Sequence, residues 1–206
     1  MWCAILSVAR ADGEDPESDW ELHDATFEKN LRLLNERRFK ALHYRSDNGT
    51  DLTVGLPAGH LWAGGKCETP EGHPFFPNIP TEEVFTSPHC DQVNGVVYSA
   101  LPLVRHGNKI DRFWLRFENG RVVDFDAAIG KDTLASILDT DEGARRLGEV
   151  ALISKNTPIR ESEILFYDTL YDENASCHLA LGVGFPECYE GGYEMSSDEL
   201  RDAGVN

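Results

Sequence analysis

The chain has 206 residues, 41% of them hydrophobic, and carries 36 acidic against 19 basic side chains for a formal net charge of -17 at pH 7. That is enough apolar material for one main globular unit. No Lys/Arg cluster interrupts the acidic excess, which excludes nucleic acid and anionic membranes as expected partners and favours cations, including divalent metals and the ammonium of a peptide N-terminus.

The five cysteines, Cys3, Cys67, Cys90, Cys177 and Cys188, are odd in number and form no Cys-x-x-Cys pair, a pattern of free thiols in a reducing compartment. No apolar run approaches the roughly 18 residues of a membrane span, and the stretch at positions 1–6 is too short for a signal sequence. The expectation is a soluble, cytoplasmic protein. The chain opens on the apolar stretch Trp2–Val8, which reads as a first strand, and it closes at Ala203–Asn206 without a packing element. Both ends look cut.

In chain order, the polar residues 10–19 predict a loop. Trp20, Phe27, Leu31 and Leu34 then recur near a helical period and predict an amphipathic helix to about Arg38. Phe39–Tyr44 and Thr50–Leu56 predict two strands around a Ser46–Gly49 turn. Pro57–Pro88 is rich in proline and glycine and predicts irregular backbone of the kind that often carries function. Val93–Val104 predicts a strand. Ile110–Ala127 predicts a hairpin, with Phe113, Leu115 and Phe117 alternating before Asn119-Gly120 and Val123, Phe125 and Ala127 after it, because Asn-Gly suits a two-residue turn with positive φ. Helical patterning returns at Asp132–Leu138, Asp141–Leu147 and Glu161–Leu170. The sum is an α+β fold, a mixed and largely antiparallel sheet with packed helices.

Three segments carry candidate chemistry. In Asn78–Thr86, two adjacent carboxylates, Glu82 and Glu83, sit among apolar and proline residues. On an extended backbone they point to opposite faces, so one can bind a metal while the other handles a proton. Glu149 lies between Gly148 and the apolar run Val150–Ile153, where a partly buried carboxylate needs a cation or hydrogen-bond donors. His178 follows the polar run Asp172–Ser176 and enters Leu179–Leu181, as a metal-binding imidazole held against a core would. Two carboxylates and an imidazole form a set suited to zinc, cobalt or manganese rather than to an iron–sulfur cluster. Each residue alone reads equally as solvated or as ordinary core. Of the remaining histidines, His60, His73, His89 and His106 read as surface or turn residues, His89 having the best claim to lie near the pocket. Cys177 reads as a buried thiol.

Read in this order, Asn78–Thr86, Asp141–Ala144 with Leu147–Leu152, and Asp172–His178 resemble the thermophilic aminopeptidase family of metallopeptidases. Gly49–Leu56, Phe117–Gly120 and Pro158-Ile159 extend the resemblance over essentially the whole chain. It implies a homodimeric exopeptidase that removes N-terminal residues from peptides with two divalent metal ions. It assigns Glu83, Glu149 and His178 as metal ligands, Glu149 bridging, and by analogy with other two-metal aminopeptidases it makes Glu82 the general base. It further implies that residues 1–206 are a partial catalytic domain, lacking an N-terminal domain and a His-x-Asp segment that supplies the remaining ligands, and hence weak in activity. One departure stands inside the chain. Where the family places a metal-proximal tyrosine seven residues after the histidine, this sequence has Phe185, which can neither coordinate nor donate a hydrogen bond. Tyr189 and Tyr193 are the nearest tyrosines. The contrasting reading is a non-catalytic acidic module that binds a protein partner or a structural divalent cation.

Overall fold

The computed structural model describes residues 2–206. The chain begins with helix α1 (Trp2–Val8) and helix α2 (Pro16–Arg37). The first corrects the expectation of a strand: Ala9 N–H closes on Ile5 O at 3.0 Å, and Val8 is fully buried. Helix α2 starts earlier than hydrophobic spacing alone places it. Asp15 Oδ1 accepts the Ser18 N–H at 3.2 Å, and Pro16 takes the first helical position, where a missing N–H costs nothing.

Strands β1 (Ala41–Arg45) and β2 (Asp51–Gly55) form the expected antiparallel pair. The proline-rich stretch that follows is mostly irregular, but it contains β3 (Ala63–Gly64), β4 (Cys67–Glu68), β5 (Pro74–Phe75) and β6 (Glu83–Thr86). The single strand expected over Val93–Val104 is two, β7 (Val93–Tyr98) and β8 (Leu103–Arg105), broken where Pro102 can give no ladder N–H. Strands β9 (Asn108–Glu118) and β10 (Arg121–Ile129) complete the hairpin, turning through Asn119 at φ 48 and Gly120 at φ 79. A register shift between Val122 and Asp124 puts Val122 rather than Val123 in the core: Val122 is 1% exposed and Val123 43%.

Helix α3 (Lys131–Leu138) is as expected. The helix expected at Asp141–Leu147 shrinks to a 3₁₀ turn, Gly143–Arg145, followed by β11 (Leu147–Ile153). Asp141 Oδ1 accepts the Ala144 N–H at 2.8 Å, closing the turn locally. The helix expected at Glu161–Leu170 is two short ones, α4 (Pro158–Ser162) and α5 (Thr169–Glu173), capped by Thr157 and Asp168. Glu163 and Tyr167, at positive φ, break the path between them. Strand β12 (His178–Leu181) and helix α6 (Ser197–Asp202) follow. The expected lack of a closing element is corrected by α6, which starts with a capping box of Ser196 and Glu199, and by Val205, which is buried.

The chain divides into two compact units, one of residues 1–37, 62–85 and 151–178, the other of 38–61, 86–150 and 179–206. In the first, Val8, Phe27, Trp62, Val84 and Ile159 are buried. In the second, the sheet β1-β2-β7-β9-β10, with β8 on β9, buries Leu52, Val54, Val93, Leu115, Phe117 and Val122, and α3 packs on β9 and β10. A further sheet has four strands in the order β12-β11-β6-β3. The architecture is the α+β class expected from the sequence. Among the described residues no helix is long and apolar enough to cross a membrane.

The β9–β10 turn has no room for a side chain. A Cβ on Gly120 would sit 1.7 Å from Cys90 O, at a φ of +79°. Gly120→Ala is therefore expected to destabilise the chain by at least about 1–3 kcal/mol, read as a lower urea midpoint with unchanged slope; an unchanged midpoint would show that the turn yields freely.

Candidate metal centre

Glu83 is the first residue of β6, Glu149 the third of β11 and His178 the first of β12. These strands are neighbours in one sheet, so heads from β6 and β12 have only two strand spacings, roughly 9–10 Å, to reach across. One ligand atom from each of Glu83, Glu149 and His178 lies within 4.8 Å of the others. The three residues singled out in the sequence are thus brought together. Glu83 is buried and the other two are half-buried.

The closest approach is Glu83 Oε2 to His178 Nε2, at 2.9 Å. Glu83 Oε2 is a buried oxygen, so the contact is largely shielded from water. His178 Nδ1 lies 3.0 Å from the Glu173 carbonyl oxygen; a carbonyl only accepts, so Nδ1 donates there and Nε2 is the ring nitrogen turned to the carboxylate. Two carboxylates and an imidazole converging within 4.8 Å are the donor types that hold a divalent cation. The residues present therefore fit a divalent metal.

Local packing places these groups. Gly148, next to Glu149, has Val183 O at 2.2 Å from where a Cβ would stand, so only glycine lets the chain after β12 lie this close to β11. Asn174, fully buried, caps α5; its Oδ1 accepts the Glu82 N–H at 2.7 Å and its Nδ2 donates to Leu170 O at 2.8 Å. Thr157 Oγ1 donates to Asn174 O at 3.3 Å. Asn174 thereby ties the segment bearing Glu173 and His178 to the one bearing Glu82 and Glu83.

Glu82 lies outside the three-residue group. Its carboxylate is gripped by both terminal nitrogens of Arg10, Nη1 to Oε1 and Nη2 to Oε2, the latter at 3.0 Å. His23 Nε2 donates to Thr81 O at 2.8 Å and stands 3.7 Å from Glu82 Oε2. Burial pushes the His23 imidazole below its ordinary value, outweighing the Thr81 hydrogen bond and the Glu82 charge, so near neutrality Arg10 is the cation that balances Glu82. Arg10, His23 and Asn174 were not marked in the sequence.

Other expectations are corrected. His60 is buried, 2% exposed, with Nδ1 bonded to Pro57 O at 2.8 Å. His89 joins a different cluster, with Cys90 and Asp91. Cys177 is exposed rather than buried, its sulfur accepting the Ile153 N–H at 3.4 Å. All five cysteines are free, as expected. Phe185 donates its backbone N–H to Ser87 Oγ at 2.7 Å. Tyr189 packs against Gly59 and Tyr193 is 78% exposed.

The sequence profile of the family described as thermophilic metalloprotease (M29) matches residues 1–206. The chain belongs to this family. Over all of its 206 residues it is 48% identical to aminopeptidase T of Thermus aquaticus and 48% identical to aminopeptidase AmpS of Bacillus subtilis, in each case covering 50% of the relative. The solved structure of wild-type AmpT from Thermus thermophilus superposes with a TM-score of 0.89 at 45% identity, over 100% of this chain and 49% of that one. The chain spans about half the length of the curated relatives it matches.

Asn174→Ala would strand the buried Glu82 N–H without an acceptor. A loss of about 1–3 kcal/mol of stability is expected, measured by urea denaturation. Unchanged stability would mean that water reaches that N–H and that Asn174 is not the tie described.

Proposed function

We propose that the chain is part of a metal-dependent aminopeptidase that removes N-terminal residues from peptides by two-metal hydrolysis. The observation that carries this reading is the convergence of ligand atoms from Glu83, Glu149 and His178 within 4.8 Å, with His178 Nδ1 held by Glu173 O and Nε2 turned to Glu83. The names of the relatives, aminopeptidases from Thermus and Bacillus, supply the reaction class. Glu83, Glu149 and His178 would hold the ions, and oxygen and imidazole donors suit zinc, cobalt or manganese. The family resemblance extends the reading to a cytoplasmic homodimer.

Divalent ions held there would supply Lewis-acid polarisation of the scissile carbonyl and a water of lowered pKa. The chain's own residues do the rest. Glu82, one residue from a ligand, accepts the water's proton and returns it to the leaving amine. A carboxylate has about four lone-pair positions, and Arg10 occupies one on each oxygen, so Glu82 keeps capacity for this proton. Acidic side chains lining the site hold the substrate's free ammonium, which limits cleavage to the first residue. The contrasting reading, an acidic module without chemistry, is not favoured, because a solvated acidic face gives no reason for a buried carboxylate, a second carboxylate and an imidazole to converge within 4.8 Å.

Titration of the chain with cobalt or zinc tests the site. Glu83→Ala and Glu149→Ala are each expected to weaken binding by at least the roughly 10–100-fold that even outer-shell partners are worth, and the double variant by less than the product of the two, since both serve one site. Unchanged affinity, or fully independent losses, would defeat the proposal. Aminoacyl-nitroanilide hydrolysis by this chain is expected to be little or none, and any that occurs is abolished by Glu149→Ala.

A further inference from the structure

Two adjacent carboxylates sit beside one cation site, and both are 8% exposed, but they have different partners. Glu83 faces His178, whereas Glu82 is taken by Arg10 through two hydrogen bonds. The grip is built from several directions. Arg10 ends the turn after α1 at φ 53, a left-handed conformation uncommon for a residue with a Cβ. The residue before it is anchored by Trp20, whose Nε1–H donates to Ala9 O at 3.0 Å. The Trp20 ring stands 6.0 Å from the guanidinium, adding cation–π attraction. The side chains of Arg10 and Glu82 are 18% and 3% exposed, so little water competes for the pair.

We propose that Arg10 is a positioning residue that selects between the paired carboxylates: by occupying Glu82 it keeps that side chain out of the coordination sphere, leaving Glu83 as the ligand and Glu82 uncoordinated. This rests on the metal-site reading above. The physical ground is the cost of a buried carboxylate without a partner. With Arg10 present, Glu82 is neutralised in place. Without it, the groups left to compensate Glu82 are His23, 3.7 Å away and pushed by burial toward its neutral form, and the divalent cation at the neighbouring residue. A carboxylate bound to that cation would also be spent as a proton acceptor, so the clamp and the proton role of Glu82 belong together.

The test is a cobalt titration of this chain, followed by visible absorption, in the parent, Arg10→Met, Arg10→Lys, Glu82→Gln and Arg10→Met/Glu82→Gln, with thermal melting of each. Arg10→Met is expected to bind cobalt about tenfold more tightly, at the low end of outer-shell effects on metal affinity, with a changed absorption band; adding Glu82→Gln returns both to the parent values. Arg10→Lys, which keeps the charge, stays near the parent. If Arg10 only braces the fold, Arg10→Met weakens binding in step with its melting temperature and Glu82→Gln rescues nothing, which overturns the proposal, as does unchanged cobalt binding. Glu83→Ala in the same series separates the two claims. Undiminished cobalt binding in that variant removes the metal-site reading itself, whereas lost binding there with no effect at Arg10 removes only the selection by Arg10.

Discussion

A buried carboxylate oxygen and an imidazole nitrogen 2.9 Å apart form the contact on which the rest of the site depends. Both side chains are largely withdrawn from water, at 10% and 15% exposure, and in a low-dielectric setting a carboxylate recovers that loss only through a charge partner or hydrogen-bond donors. The fold nevertheless holds both atoms there. Glu173 O fixes the imidazole proton on the far side, Asn174 ties the His178 segment to the backbone at Glu82, and Gly148 lets the chain after β12 lie close against β11. Structure that holds converging ligand groups from several directions is pre-organised for the ion those groups suit.

The second constraint is the alternation of an extended chain. Glu82 and Glu83 are neighbours in sequence, yet strand geometry sends successive side chains to opposite faces. One carboxylate therefore meets His178 and the other meets Arg10. Had the pair stood on a helix, both would have turned toward nearly the same side and competed for the same cation. The irregular, proline-framed approach to β6 confines the extended stretch to four residues, enough to separate the roles without demanding a long buried strand.

The fold and site were legible where the signal is local. Asn119-Gly120 announces its own turn because both residues tolerate positive φ, and alternation around it identifies β9 and β10. The bulge that swaps Val123 for Val122 was not legible, since it depends on how β10 settles against β9. Helical spacing misled at Asp141–Leu147, where one Asp-capped turn satisfies the pattern before β11 begins; at Trp2–Val8 an apolar run compatible with strand or helix is helical. In the site, Glu83, Glu149 and His178 stood out because each is a polar group embedded in apolar sequence. Arg10, His23 and Asn174 did not, for their partners lie 72, 58 and 92 residues away. An arginine in a polar loop carries no mark of the carboxylate it will meet.

The placement of the ligands also links binding to folding. Glu83 opens β6 and His178 opens β12, and the strand between them carries Glu149. Strand ends are the first parts of a sheet to fray, because each lacks ladder partners on one side. A cation bound among these residues would join the starts of two strands to the body of a third, drawn from distant parts of the chain. In a molecule with a formal charge of -17, it would also relieve part of the repulsion that opposes compaction. The same carboxylates that are costly to bury near one another would thus make a bound cation stabilising, which links the affinity of the site to the stability of this sheet.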